Sequence, residues 1–190
     1  TAIHATHTLA FQQVKLAFLM PENHIYTSEF HLLPIGLSEK FEMMERSMFE
    51  TVQPELIRQL CKPLSKFTHK GQRGHAALVT GSLGMMGAAT LAAKGCLFSG
   101  TGKLTCHIPA CGYQVMQLAL PEAMCMISGE NHVAHFNQSS QYTAIGIGPG
   151  IGTHLETHQL LKQILKTGSL PLVLDADALN ILAANKEYIR

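Results

Sequence analysis

An α/β fold, a mostly parallel central sheet between two helical layers, is predicted for most of this chain from three observations. From His69 onward, short apolar runs alternate with stretches of helix-forming composition. The run beginning at Ala76 is continuously apolar and that at Ala144–Ile147 reads as buried too, as strands of a sheet buried on both faces do. The loops between them are short, which suits strand–helix–strand crossovers.

Taken in order, Ala76-Ala77-Leu78-Val79-Thr80 reads as a buried strand ending in a Gly-rich turn, and Gly87 to Phe98 as the helix after it. Lys103–Ile108 is a strand, Tyr113–Leu118 a short helix, Ala123–Ile127 a strand and Ala144–Ile147 another. Thr153 is placed to cap a helix running from about His154 to Lys166. Leu170–Leu174 is a strand with Pro171 near its start, followed by a helix from about Ala178.

The first part of the chain reads differently. Residues 1–37 are β-rich, with strands expected at Thr6–Phe11, around Lys15–Leu19 and at Glu29–Leu33, a piece too small to bury a core by itself. Residues 38–68 mix Glu39, Lys40, Glu42, Glu45 and Arg46 with Phe41, Met43, Met44, Met48 and Phe49, and Pro54 and Pro63 interrupt any long helix. They read as a partly helical linker. Domain boundaries are therefore expected at 1–37, 38–68 and 69–190. The opening Thr1-Ala2-Ile3-His4 has neither an initiator Met nor the pattern of a secretory signal, and reads as a chain beginning in mid-domain.

Composition narrows the function. Of 190 residues, 46% are hydrophobic and 14% charged, far from the balance of a disordered chain. A formal net charge of +1, no basic run and no Trp give no case for nucleic acid or a membrane surface. No stretch is long and apolar enough to span a bilayer. Five Cys without a C-x-x-C pair suit buried free thiols in a reducing cytoplasm.

Three segments stand where a parallel strand ends and a helix begins, the edge along which open α/β sheets bind ligands. The first, Thr80-Gly81-Ser82-Leu83-Gly84-Met85-Met86-Gly87-Ala88-Ala89, offers glycines and a helix start to an anion. Its glycines miss the G-x-G-x-x-G spacing, and from spacing alone a tight turn of small packing residues is the better account. The second, Gly146-Ile147-Gly148-Pro149-Gly150-Ile151-Gly152-Thr153, carries more glycine than a turn needs, which favours close approach to a ligand. The third, Leu174-Asp175-Ala176-Asp177-Ala178-Leu179-Asn180, sets two carboxylates and an amide at a strand end, able to bind hydroxyls, orient water or hold Mg²⁺ through water. Asp177 is the better candidate for helix N-cap, which leaves Asp175 for the site.

Eleven histidines invite metal readings. His154, Glu156 and His158 form H-x-E-x-H rather than the zinc-protease H-E-x-x-H, and His132 and His135 lie in a polar stretch that reads as a surface turn. Neither pair has a third ligand at matching spacing, so no metal site is assigned. Met116, Met124 and Met126 read as core filling, and Lys70 as an isolated solvated cation.

The order of these segments resembles the opening of the C-terminal dehydratase domain of bifunctional NAD(P)H-hydrate repair enzymes. The resemblance rests on His69-Lys70-Gly71, Gly81-Ser82, Gly84-Met85-x-Gly87-Ala88-Ala89, Ser99-Gly100-x-Gly102, Pro121-Glu122, the Gly146–Gly152 run and Val173-Leu174-Asp175-Ala176-Asp177-Ala178-Leu179-Asn180. Ala5 to Phe11, Lys15-Leu16 and Tyr26 through Pro34-Ile35-Gly36-Leu37 look like the last strands of the same enzymes' epimerase domain, with Pro34 where that family has Asp.

The resemblance implies a ribokinase-like three-layer αβα fold, present in part, and the restoration of NADH or NADPH from the hydrated cofactor with ADP or ATP and Mg²⁺. The ring hydroxyl would be phosphorylated and phosphate then eliminated. By position, Ala88 and Gly150 match residues that contact the hydrated dinucleotide. Gly148 and Gly152 would shape the same loop, and Asp175, Asp177 and Asn180 would line the cleft beside it. The epimerase domain's K⁺ site would precede residue 1. The family's catalytic Asp and nearly all of its nucleotide site would follow Arg190, so this chain alone is expected to be inactive, with apolar surface exposed on its last strand and helix. A cytoplasmic homo-oligomer acting on NAD(P)H-hydrate is the expected whole. A small-molecule kinase of the same superfamily, acting on a vitamin precursor or a sugar, is the alternative enzyme. An inactive nucleotide-binding or scaffold module is the alternative from another class.

Overall fold

The computed structural model describes residues 3–45, 47–61 and 63–189, and the side chains of all of these except Glu42 and Met43. Arg46, part of the charged pattern noted above, and the terminal residues Thr1, Ala2 and Arg190 lie outside the described residues. The chain divides into two compact units, Thr1–Pro63 and Leu64–Arg190.

In the first unit, β1 (His7–Phe11) pairs in parallel with β2 (Glu29–Leu33), with His7 opposite Glu29 and Phe11 opposite Leu33. A parallel pair needs a crossover. Here it consists of 3-10 turns at Leu16–Leu19 and Pro21–Asn23 and one α-turn, α1 (His24–Thr27). The strand expected around Lys15–Leu19 is therefore corrected to a 3-10 turn. The Phe18 N–H donates to the Lys15 carbonyl at 2.9 Å, the Asn23 amide donates to the Ala17 carbonyl at 2.9 Å, and the Phe18 ring packs on Phe30. Two short helices follow, α2 (Glu39–Met44) and α3 (Pro54–Leu60). Pro54 opens α3 at its first turn, where a missing N–H leaves no bond unmade. Among the described residues only Ala10 is a buried hydrophobic in this unit, while Leu9 and Phe11 stay more than 60% exposed.

The second unit holds a five-stranded, wholly parallel sheet in the order β5-β4-β3-β6-β7. Its elements are β3 (His75–Val79), α4 (Met86–Phe98), β4 (Lys103–Ile108), α5 (Tyr113–Ala119), β5 (Met124–Ile127), β6 (Ala144–Ile147), α6 (Leu155–Thr167), β7 (Leu172–Leu174) and α7 (Asp177–Ala184). β3 shows why the run had to be apolar throughout. Its Ala77 and Val79 enter one core with Ile147, Leu160, Leu161 and Ile181, and Leu78 enters the other with Ala89, Ala93, Leu104 and Ile108. The sheet is thus buried on both faces, with α4 and α5 on one and α6 and α7 on the other. Each fully buried Leu or Ile contributes roughly 1.5–3 kcal/mol.

α6 is amphipathic, burying Thr157, Leu160, Leu161 and Ile164. Its N-cap is His154, whose side chain makes no capping bond, so Thr153 is not the cap expected of it. β7 starts at Leu172 because Pro171, lacking an N–H, offers only its carbonyl, which accepts from Ile145. On the edge strand β5, Met124 and Met126 are more than 40% exposed, and only Met116 fills core as expected. The last strand and helix keep Val173 and Leu179 exposed.

The stretch between β5 and β6 is another correction. Instead of a polar surface turn around His132 and His135, it buries Val133, Phe136 and Tyr142 against the sheet beside His107. His107 has no exposed surface. Its Nε2 lies 3.0 Å from the Tyr142 hydroxyl and its Nδ1 3.3 Å from Ser128 Oγ. Burial, with His135 adding a little, lowers its pKa to about 4. All five cysteines are free. Cys61 and Cys111 are exposed, whereas burial pushes the Cys106 thiol up to about 12.

Candidate functional site at the switch point of the sheet

β3 leads through α4 toward β4 on one side, while β6 leads through α6 to β7 on the other. Between the carboxyl ends of β3 and β6 the chain therefore turns both ways, and such a crevice is where open α/β sheets take their ligands. The Thr80–Gly84 turn and the Gly148–Gly152 loop are the two walls of that crevice.

Side chains of the first wall hold the second. The Thr80 hydroxyl donates to the Pro149 carbonyl at 2.6 Å, the Gly81 N–H donates to the same oxygen at 3.0 Å, and the Ser82 hydroxyl donates to the Gly150 carbonyl at 2.8 Å. Thr80 and Ser82 are buried, and each satisfied bond is worth about 1 kcal/mol net while an unmade one costs more. Sequence reasoning missed both as loop-pinning residues. The signal was there in two small hydroxyls placed alternately at a strand end.

Gly150 sits at φ +66°, and a Cβ there would stand 2.8 Å from the Met85 carbonyl oxygen and 3.1 Å from the Ala88 Cβ. Gly150 and Ala88 are therefore brought into contact, with the loop lying on the first turn of α4. Met85 caps that helix without a side-chain bond, and the Ala88 N–H donates to the Met85 carbonyl at 3.2 Å, so at most the Met86 and Gly87 N–H groups are left to solvent or to an anion.

The third expected segment joins the same crevice. The Gly152 N–H donates to Asp177 Oδ2 at 2.9 Å, and the Asn180 amide donates to Asp177 Oδ1 at 3.3 Å. Asp177 is thus the first residue of α7 and a tether for the glycine loop, not the N-cap. That position belongs to Ala176, whose φ of 45° and ψ of −118° are rare for a residue with a Cβ. Asp175 and Asn180 are exposed, and the Asp175 carbonyl lies against Gly148. Ala88, Gly148, Gly150, Gly152, Asp175, Asp177 and Asn180 therefore lie along one edge of the sheet.

His132 and His154 stand at the rim, their rings stacked 4.3 Å apart, with Glu156 3.4 Å from His132. His158 turns away toward Asn185. Among the described residues the H-x-E-x-H segment gathers no metal-ligand set.

Other motif residues lie at the opposite edge. His69 caps a 3-10 turn, Lys70–Arg73, whose Lys70 carbonyl packs on Gly102, and the Gly102 N–H donates to the Arg73 carbonyl at 3.1 Å. These segments close the amino end of the sheet. A cavity of about 450 Å³ opens there, lined by Lys70, His75, Lys103 and Glu122 among others. It lies at the strands' starts and shares no residue with the glycine loops.

The fold is that of a ribokinase-like α/β protein, with a β3/β6 switch point at the carboxyl edge of its sheet. A ribokinase-like superfamily protein of Enterococcus faecalis superposes with a TM-score of 0.62 at 19% identity, over 75% of this chain and 52% of that one, a likeness of fold alone. Residues 76–190 match the family described as Carb_kinase, NAD(P)H-hydrate dehydratase, and the chain belongs to that family. A bifunctional NAD(P)H-hydrate repair enzyme of Vibrio cholerae is 30% identical over 189 residues, 99% of this chain and 38% of that protein. The ADP/ATP-dependent NAD(P)H-hydrate dehydratase of Bacillus subtilis, co-crystallised with ATP/Mg²⁺, is similar in structure, with a TM-score of 0.58 and 34% identity, covering 66% of this chain and 45% of that one. The chain spans less than two fifths of the length of the first bifunctional relatives it matches.

Proposed function

We propose that this chain supplies the dinucleotide side of an NAD(P)H-hydrate dehydratase, in a protein whose preceding part is an NAD(P)H-hydrate epimerase. The observation that carries the reading is the crevice at the switch point. It is walled by glycine backbone, pinned by Thr80 and Ser82, and lies against the start of α4, which has no side-chain cap. A pyrophosphate-bearing substrate needs close backbone approach and an electropositive helix end, and both are offered together.

In this reading Ala88 and Gly150 contact the hydrated dinucleotide, Gly148 and Gly152 hold the loop's shape, and Asp175, Asp177 and Asn180 line its flank. A nucleoside diphosphate or triphosphate with Mg²⁺ phosphorylates the ring hydroxyl, turning a poor leaving group into phosphate. Loss of that phosphate and of a ring proton restores the reduced nicotinamide. With ADP as donor the products are NAD(P)H, AMP and phosphate. The similar Bacillus subtilis dehydratase is ADP/ATP-dependent, so the donor used here is the quantity the experiment below identifies. Residues 1–37 are read as the end of the epimerase domain and 38–68 as a linker. The alignment to the bifunctional Vibrio cholerae enzyme over 99% of the chain supports this. A cytoplasmic homo-oligomer belongs to the same proposal.

The test is a repair assay on the full-length protein, supplying hydrated NADH with ADP, ATP or no nucleotide and following the absorbance of reduced nicotinamide. Nucleotide-dependent recovery is the expected result and identifies the donor. No recovery with either nucleotide from folded protein overturns the reading in favour of a small-molecule kinase.

A further inference from the structure

The parallel pairing of β1 with β2 sets His7 directly opposite Glu29, and His31 follows two residues further along the same face. The three side chains meet: His7 Nδ1 lies 3.3 Å from His31 Nε2 and 3.7 Å from Glu29 Oε2, and His31 Nε2 lies 3.5 Å from Glu29 Oε1. Among the described residues this is the one group of three or more His, Cys, Asp or Glu side chains close enough to share a metal ion.

From this geometry we propose a binding site for a zinc-class divalent transition ion formed by His7, Glu29 and His31. The separations carry the argument. Ligands about 2.0–2.1 Å from a tetrahedral ion stand about 3.3–3.4 Å from one another. The two imidazole nitrogens are already at 3.3 Å, and the carboxylate reaches one imidazole with each oxygen, at 3.5 and 3.7 Å, so a small turn of the Glu29 carboxylate brings one oxygen to both. Two imidazoles and one carboxylate suit Zn²⁺, Co²⁺ or Ni²⁺ and not the all-oxygen shells of Mg²⁺ and Ca²⁺. All three residues are exposed, so the fourth position faces water.

Direct contacts among the three are a weak reason for the cluster. Exposed ion pairs of this kind contribute about 0–1 kcal/mol, and two imidazole nitrogens in contact need one to surrender its lone pair to a proton. An ion satisfies both nitrogens and the carboxylate at once. It also ties two five-residue strands whose unit buries only Ala10 among its described hydrophobics, so the site is a clamp across β1 and β2.

The experiment is zinc titration of the tag-free full chain by calorimetry, with Co²⁺ absorbance reporting four-coordinate geometry and circular dichroism checking the fold. The variants are His7→Ala, His31→Ala and Glu29→Gln, with His24→Ala as an exposed control. The expected result is that each of the three removes one zinc equivalent or weakens it at least tenfold, the loss that even supporting residues of metal sites produce. His24→Ala leaves binding unchanged, Mg²⁺ does not compete, and zinc raises the melting temperature of the native chain but not of the His7→Ala variant. Zinc binding with equal stoichiometry and affinity in the native chain and all three folded variants overturns the proposal. Absence of any zinc binding to the native chain does so as well.

Discussion

At the residue scale, the candidate site is a matter of where a Cβ is forbidden. Gly148 and Gly152 look alike in the sequence, yet their surroundings differ. A Cβ on Gly148, at φ +139°, collides with the Asp175 carbonyl oxygen, which belongs to backbone and cannot step aside. A Cβ on Gly152, at φ +70°, meets His154 Cδ2 at 3.4 Å, ordinary contact with an exposed side chain. Gly152→Ala is therefore expected to cost about 1–2 kcal/mol, mainly from its left-handed backbone. Gly148→Ala is expected to cost more than about 3 kcal/mol, as backbone collisions do. Urea midpoints of the two variants check the order, and an equal or reversed ranking contradicts this account of the loop.

At the element scale, most strands and helices of the second unit were legible because a run such as Ala76–Val79, apolar at every position, has few places to go but a doubly buried sheet. What failed was local. Lys15–Leu19 has strand-like composition, but the parallel pairing of β1 with β2 turns it into crossover, and a single sequence does not display that pairing. Asp177 and Thr153 were both read as caps from type and position. The structure spends Asp177 on the Gly152 N–H instead, a contact across 25 residues that no local pattern encodes. His107 was not singled out at all, since a histidine in an apolar run shows its burial only once Phe136 and Tyr142 fold over it.

That burial has a consequence for pH. His107 is lowered from 6.5 to about 4 in the fold, chiefly by burial, so between those values the unfolded chain binds a proton that the folded chain refuses. Its stabilising contribution is complete above about pH 6.5 and is lost as pH falls toward 4, on the order of 3 kcal/mol in all. His75, lowered by burial and then by Lys103, acts in the same direction. Melting temperatures at pH 7.5 and 5.0 are expected to differ less in His107→Leu than in the native chain, whatever that variant loses overall. An unchanged difference assigns the acid sensitivity elsewhere.

At the scale of the whole molecule, the sheet of the second unit has two functional-looking edges. The family motifs divide between them: His69–Gly71 and Ser99–Gly102 close the amino edge, while the glycine and Asp-Ala-Asp segments line the carboxyl edge. The sequence showed the motifs but not this division, because adjacency of β3 and β6 is a property of strand order and not of spacing. The amino edge holds a cavity of about 450 Å³, with Lys70 and Lys103 in its wall, and the carboxyl edge holds the switch-point crevice. Choosing the crevice over the cavity is the central claim. Hydrogen exchange on the full-length protein, with and without hydrated NADH, tests it most directly. The account predicts slowed exchange in residues 81–88 and 148–152 and none around Lys70, Gly102–Leu104 and Glu122. Protection confined to that second set would place the substrate in the amino-edge cavity and contradict the assignment.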